Sequence, residues 1–182
     1  PNVTVNSICP GPVDTDMWVQ IDAEWTAIEN TPRGSAWNQR VQGVPMARAQ
    51  TPEDVAAMAY FLATKDSDFI VTSLPADREL LAVAEEVIPS IAKNGVWIDH
   101  STTSAQAARD IGTRLNAVGA YFLDAPVSGG VVGAENGTIS VMAGGDSEAF
   151  SRAEPIIDLY SGQVRLMGEL GAGQLTKMTN QI

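Results

Sequence analysis

From Phe69 to the end of the chain, short apolar runs and helical stretches take turns so regularly that few architectures remain open. FIVTSLP, VWIDHST, AYFLDAPVSG, TISVMAGG and VRLMG are rich in β-branched, apolar or aromatic residues, as buried strands are. Between them, Ala76 to Lys93 places Leu80, Ala84, Val87, Ile88 and Ile91 on one helical face. Ser104 to Val118 and Ser147 to Leu159 read as further helices, and Gly173 to Ile182 begins another. Such alternation predicts an α/β fold with a mainly parallel sheet and right-handed crossovers. Upstream, residues 3–9 (VTVNSIC) form one more strand, stopped by Pro10-Gly11-Pro12. Val13 to Met46 is a polar excursion carrying Trp18, Trp25 and Trp37, with room for one or two short helices as a lid. Thr51-Pro52-Glu53-Asp54 then opens a helix, with a Thr cap, Pro at the first helical position and acids in the first turn.

Composition narrows the function classes. The 182 residues are 45% hydrophobic, enough for a core that needs neither disulfide nor structural metal. Eleven basic against 22 acidic residues give a net charge of -11, which argues against nucleic acid or an anionic membrane as partner. One cysteine (Cys9) and one histidine (His100) exclude an internal disulfide and a Cys/His metal cluster, so no metal is expected. No long apolar run or leader segment occurs, and Pro1 in place of Met points to a trimmed start. The expectation is a soluble, cytoplasmic protein acting on a small molecule.

In parallel sheets, ligands sit beyond the carboxyl ends of the strands. Four loops qualify: Pro10 to Thr15, Leu74 to Asp77, Asp99 to Thr103, and Asp124 to Gly130. Each mixes Gly or Pro, which shape the backbone, with Ser, Thr or Asp, which offer hydrogen bonds. Together they describe a polar cleft.

Two resemblances attach to these segments. VTVNSICPGPVDTDMW, continuing through TPEDVAAMAYFLATKDSDFI, resembles the C-terminal part of short-chain (polyol) dehydrogenases over residues 1–70. That resemblance implies that Pro10, Gly11 and Thr15 contact a nicotinamide cofactor. Residues 71–182 resemble the β-hydroxyacid dehydrogenases, which include 3-hydroxyisobutyrate dehydrogenase and tartronate semialdehyde reductase. VTSLP, IDHSTTS, FLDAPVSGGVVGAENGTISVMAGG and GAGQLTKMTNQI match in order. This second resemblance implies a Rossmann-like fold with NAD or NADP as cofactor, Leu74, Pro75 and Thr102 lining it. Ser128, Gly129 and Gly130 would hold the substrate carboxylate, Lys177 would be the general acid, and Asn180 or Gln181 would orient the substrate.

Both patterns are incomplete. None of Tyr60, Tyr121 and Tyr160 has a lysine four places on, so the short-chain Tyr-x-x-x-Lys is missing. No Gly-x-Gly-x-x-Gly phosphate loop occurs, Gly129 to Gly133 being the nearest approach. The second family's helical C-terminal domain should begin where the chain stops. Two readings stay open: a catalytically incomplete chimera joined near Ile70-Val71-Thr72, with weak or no cofactor binding, or an active NAD(P)-dependent β-hydroxyacid dehydrogenase or semialdehyde reductase. On either, residues 1–70 and 71–182 share one sheet, with the first strand beside FIVTSLP. Parallel strands advancing in one direction put all their helices on one face. The other face would be left bare, and a homo-oligomer is the expected consequence.

Overall fold

The computed structural model describes residues 5–8, 10, 12–43, 48–63 and 68–180. In chain order the elements are β1 (Val5–Ile8), α1 (Asp16–Glu29), α2 (Ser35–Gln42), α3 (Pro52–Ala63), β2 (Phe69–Thr72), α4 (Asp77–Val87), β3 (Val96–Asp99) and α5 (Ala105–Ala117). There follow β4 (Tyr121–Asp124), β5 (Val127–Ser128), α6 (Gly130–Glu135), β6 (Ile139–Gly145), α7 (Ser147–Ile157), β7 (Ser161–Gly168) and α8 (Ala172–Asn180). Local chemistry sets several helix ends. The Thr51 hydroxyl accepts the Asp54 N–H at 3.2 Å while the Asp54 carboxylate accepts the Thr51 N–H at 3.0 Å, a reciprocal cap on α3. Asp146 accepts the N–H groups of Glu148 and Ala149 at the start of α7. α4 stops at Val87 rather than running to Lys93, because Pro89 has no N–H to carry the ladder on.

The excursion after β1 is a pair of helices. It leaves and returns at one point, where Asp14 donates to Gln50 and Gln50 donates to Pro12. Asp22 of α1 accepts the N–H groups of Gly34 (2.6 Å) and Trp37 (3.0 Å), which ties the start of α2 to α1. Those bonds, Trp37's foremost, hold its carboxyl below the usual range. Trp18 and Trp37 meet with ring centres 5.3 Å apart.

β1, β2, β3 and β4 are parallel neighbours, with Val5 opposite Phe69, Phe69 opposite Val96 and Val96 opposite Tyr121. The sheet then changes direction. β4 and β5 lie along one edge of β6 in a single antiparallel register, Leu123 opposite Gly145 and Ser128 opposite Ser140. Pro126 interrupts the strand but its carbonyl still accepts the Met142 N–H. TISVMAGG, expected as another parallel strand, is therefore the return arm of a long hairpin. The six residues of α6 span roughly 9 Å at 1.5 Å per residue, too little to carry the chain back along the sheet. β7 pairs parallel to β6 through α7, so the sheet is mixed.

That reversal decides what covers each face. Ile70, Trp97 and Phe122 point into one core with Val55, Leu80, Val83 and Ile111 from α3, α4 and α5. Trp97 and Phe122 meet edge to face at 5.3 Å, worth about 1 kcal/mol beyond burial. Phe69, Val71, Ile98 and Leu123 point the other way, into a core with Phe150, Ala153 and Ile157 of α7. A right-handed crossover between reversed strands, in a sheet still growing the same way, lays its helix on the opposite side. The bare face expected from an all-parallel sheet is thus covered by α7, and the argument for self-association through it loses its premise.

One buried group works against stability. Glu79, in the first turn of α4, is 1% exposed and neither carboxylate oxygen has a hydrogen-bond partner among the described residues. An unpaired buried polar group costs about 1–3 kcal/mol. Glu79→Met should accordingly raise the free energy of unfolding by about that much, read from urea denaturation curves; a less stable variant would show that the carboxylate is held by interactions that compensate its burial.

Candidate functional site at the carboxyl ends of the strands

β2, β3 and β4 end on Thr72, Asp99 and Asp124, which stand opposite one another in register. All three are fully buried. Thr72 Oγ1 donates to Asp99 Oδ1 at 2.6 Å and accepts the Trp97 Nε1–H at 2.8 Å. Ser101 Oγ donates to the same Asp99 oxygen at 2.6 Å and accepts the Leu74 N–H at 2.7 Å. Asp99 Oδ2 has no hydrogen-bond partner among the described residues. Burial pushes the Asp99 carboxyl up to about 6, against the bonds from Ser101 and Thr72.

Asp124 faces α8. Its carboxylate accepts the N–H groups of Gly171 (2.7 Å) and Gln174 (3.0 Å), donors left free at a helix start. Burial nevertheless pushes it up to about 6. The approach needs glycine, since a Cβ on Gly173 would stand 2.3 Å from the Met142 carbonyl oxygen and 2.4 Å from that of Asp124. Gln174, fully buried, bridges to the β3–α5 loop: Oε1 accepts the Thr103 N–H (3.1 Å) and Nε2 donates to the Ser101 carbonyl (2.8 Å).

The residues singled out from sequence fall around this network. Leu74, buried, and Pro75, half-buried, follow β2, and Thr102 is exposed between Ser101 and Thr103. Ser128 ends β5, half-buried, and Gly129 and Gly130 start α6 with φ of 139° and 60°, the region that favours glycine. A Cβ on Gly130 would meet nothing within 4 Å, so open space lies beside it. Lys177 is buried on α8, one turn beyond Gln174, with no hydrogen bond or ion pair to its ammonium among the described residues. Asn180 is exposed at the end of α8. Gln181 and Gly11 lie outside the described residues; Pro10 is half-buried beyond β1. Thr15 is buried at the start of α1, its hydroxyl without a partner among the described residues, and it lines a cavity of about 190 Å³ between α1 and α2 with Trp18, Arg33 and Trp37. A neighbouring cavity of about 560 Å³ is lined by Trp18, Ile21, Trp25 and Arg40.

Sequence reasoning placed Ser101 in a candidate loop without singling it out, and passed over Thr72 and Gln174 as site-building residues. For Thr72 the available signal was a polar residue ending a run otherwise apolar on both sides, which buried strands seldom carry without a partner; Gln174, inside a helix, offered none. Sequence reasoning also passed over His100, whose Nδ1–H donates to the Ala125 carbonyl (2.6 Å) while Nε2 faces the Tyr160 hydroxyl (2.8 Å). Burial lowers its pKa, which favours this neutral form.

Raised carboxyl pKa values make stability depend on pH. Asp99 and Asp124 go from 3.8 in the unfolded chain to about 6 in the fold, so the folded state prefers them protonated. That preference is complete below about pH 4 and is lost as pH climbs through about 6, by about 3 kcal/mol per carboxyl. The unfolding midpoint is expected to fall between pH 5 and pH 7.5, and Asp99→Asn should flatten the profile; an equally steep profile in the variant would refute the assignment.

Comparisons with known proteins give the family of the fold. Residues 27–168 match the family model described as the NAD binding domain of 6-phosphogluconate dehydrogenase. An uncharacterized oxidoreductase of Shewanella frigidimarina is 38% identical over 152 residues, 82% of this chain and 50% of that protein. The 2-hydroxy-3-oxopropionate reductase of Escherichia coli is 36% identical over 122 residues, 65% of this chain and 42% of the enzyme. Among solved structures, 3-hydroxyisobutyrate dehydrogenase of Mycobacterium tuberculosis, with L-serine, superposes with a TM-score of 0.64 at 29% identity, covering 78% of this chain and 47% of that one. The chain thus spans about half the length of the curated relatives it matches. The family match begins well ahead of the junction expected near Ile70, and no comparison sets residues 1–70 apart as a short-chain dehydrogenase segment. A mixed α/β sheet with its polar residues gathered at the strand ends, matched by this model over most of its length, belongs to the family of NAD-binding domains typified by 6-phosphogluconate dehydrogenase.

Proposed function

We propose that this chain carries the cofactor-binding part of an NAD(P)-dependent β-hydroxyacid dehydrogenase or semialdehyde reductase. The observation that supports it most is the buried network joining the loops after β2 and β3 to the helix of Lys177. A nicotinamide dinucleotide, when bound, supplies the hydride that converts a carbonyl carbon to an alcohol. Leu74, Pro75 and Thr102 would lie along it. The open space beside Gly130, and backbone N–H groups that no Cβ shields, suit a carboxylate held by Ser128, Gly129 and Gly130. Lys177 would give its proton to the carbonyl oxygen as hydride reaches the carbon, and would take it back in the oxidation direction. Asn180 would orient the substrate.

A second reading keeps residues 1–70 as a piece of short-chain dehydrogenase ancestry fused to 71–182, with cofactor binding weak or absent. What favours the ancestry of residues 1–70 in it is Thr15, whose buried hydroxyl has no partner among the described residues and which stands where that resemblance puts a nicotinamide contact.

Titration with NADH and NADPH, following energy transfer from Trp97 and its neighbours, decides between the readings. Saturable transfer is expected on the first; no response at millimolar cofactor leaves the second. Given binding, Lys177→Ala should lower turnover of a β-hydroxyacid by about 10²-fold or more with cofactor affinity retained, and unchanged turnover would remove Lys177 from its role.

A further inference from the structure

We infer that Gln174 is the positioning residue that sets Lys177 against the cofactor loops; the inference rests on the reading of Lys177 and Thr102 given above. Its side chain is fully buried and engaged at both ends, accepting from the Thr103 N–H and donating to the Ser101 carbonyl. Thr102 lies between those two residues, so its backbone is clamped on either side by one amide. Ser101 extends the clamp, because its hydroxyl accepts the Leu74 N–H and so ties in the loop after β2. Gln174's own N–H is fixed on Asp124 at the end of β4. Residues three apart on a helix share a face, so Lys177 takes its position from the turn that Gln174 anchors. One amide therefore sets the spacing between the proton donor and the two loops proposed to line the cofactor.

An amide serves here because one atom must accept and the other donate. Gln174→Leu removes both bonds. Gln174→Glu restores them only when protonated, its O–H donating to Ser101 and its carbonyl accepting from Thr103; once ionised it has no donor to offer. The expected result in Gln174→Leu is amide exchange at Thr103 and Leu74 faster by on the order of tenfold, with Trp97 and Ile98 in β3 unchanged, and faster labelling of Lys177 by an amine-directed reagent. Gln174→Glu should behave like the unaltered protein at low pH, whereas at high pH its carboxylate still shields the Thr103 N–H while Leu74 exchange and Lys177 labelling move toward those of Gln174→Leu, a split that simple space-filling by residue 174 would not produce. With turnover present, kcat should fall and cofactor KM should rise in Gln174→Leu, because the loops it loosens are those proposed to line the cofactor. Exchange and labelling that are the same in all three proteins overturn the inference. If the unaltered chain binds no NADH, the cofactor reading fails, yet the exchange and labelling data still decide whether Gln174 couples α8 to the loops.

Discussion

Asp124 gives both carboxylate oxygens to N–H groups at the start of α8, those of Gly171 and Gln174. A helix start leaves donors without partners and carries partial positive charge, so an anion there answers both needs. The same carboxylate ends β4, and the bond therefore fixes a helix late in the chain onto the middle of the sheet. Everything proposed for Lys177 depends on this contact, because the lysine has its place only where α8 is held. The contact is bought with burial, which raises the carboxyl toward neutrality, and Gly173 makes it sterically possible.

A second constraint is the hairpin of β4, β5 and β6. By turning the strand direction once, it sends α7 to the face that α3, α4 and α5 leave open. Two cores result, divided by the alternation of Ile70, Trp97 and Phe122 against Val71, Ile98 and Leu123. The hairpin also carries Ser128, Gly129 and Gly130 at its turn, so the reversal that completes the core presents the proposed carboxylate-binding segment.

Much of this was readable in the residues. The strands FIVT, VWID and YFLD announce themselves by being apolar on both sides, and Thr51, Ser104 and Asp146 mark helix starts by their side-chain oxygens. The loops at strand ends were found for the same reason, since Gly, Pro and Ser stop a ladder. The partners of Asp99 and Gln174 were not readable, because residues 27 and 71 positions apart in sequence meet there and no local pattern encodes such a meeting. The junction expected near Ile70 came from likeness to two families, and the family match runs across it.

Sequence by itself determined the class of fold, the extent of most elements and the residue types offered at the strand ends, because those follow from period, turn chemistry and hydrogen-bonding capacity within a few residues. Tertiary structure decided the direction of β6, the face taken by α7 and the wiring of Asp99, Asp124 and Gln174. Strand direction depends on how the chain closes a hairpin across Pro126 and α6, and buried polar groups find their partners only once distant segments are packed side by side.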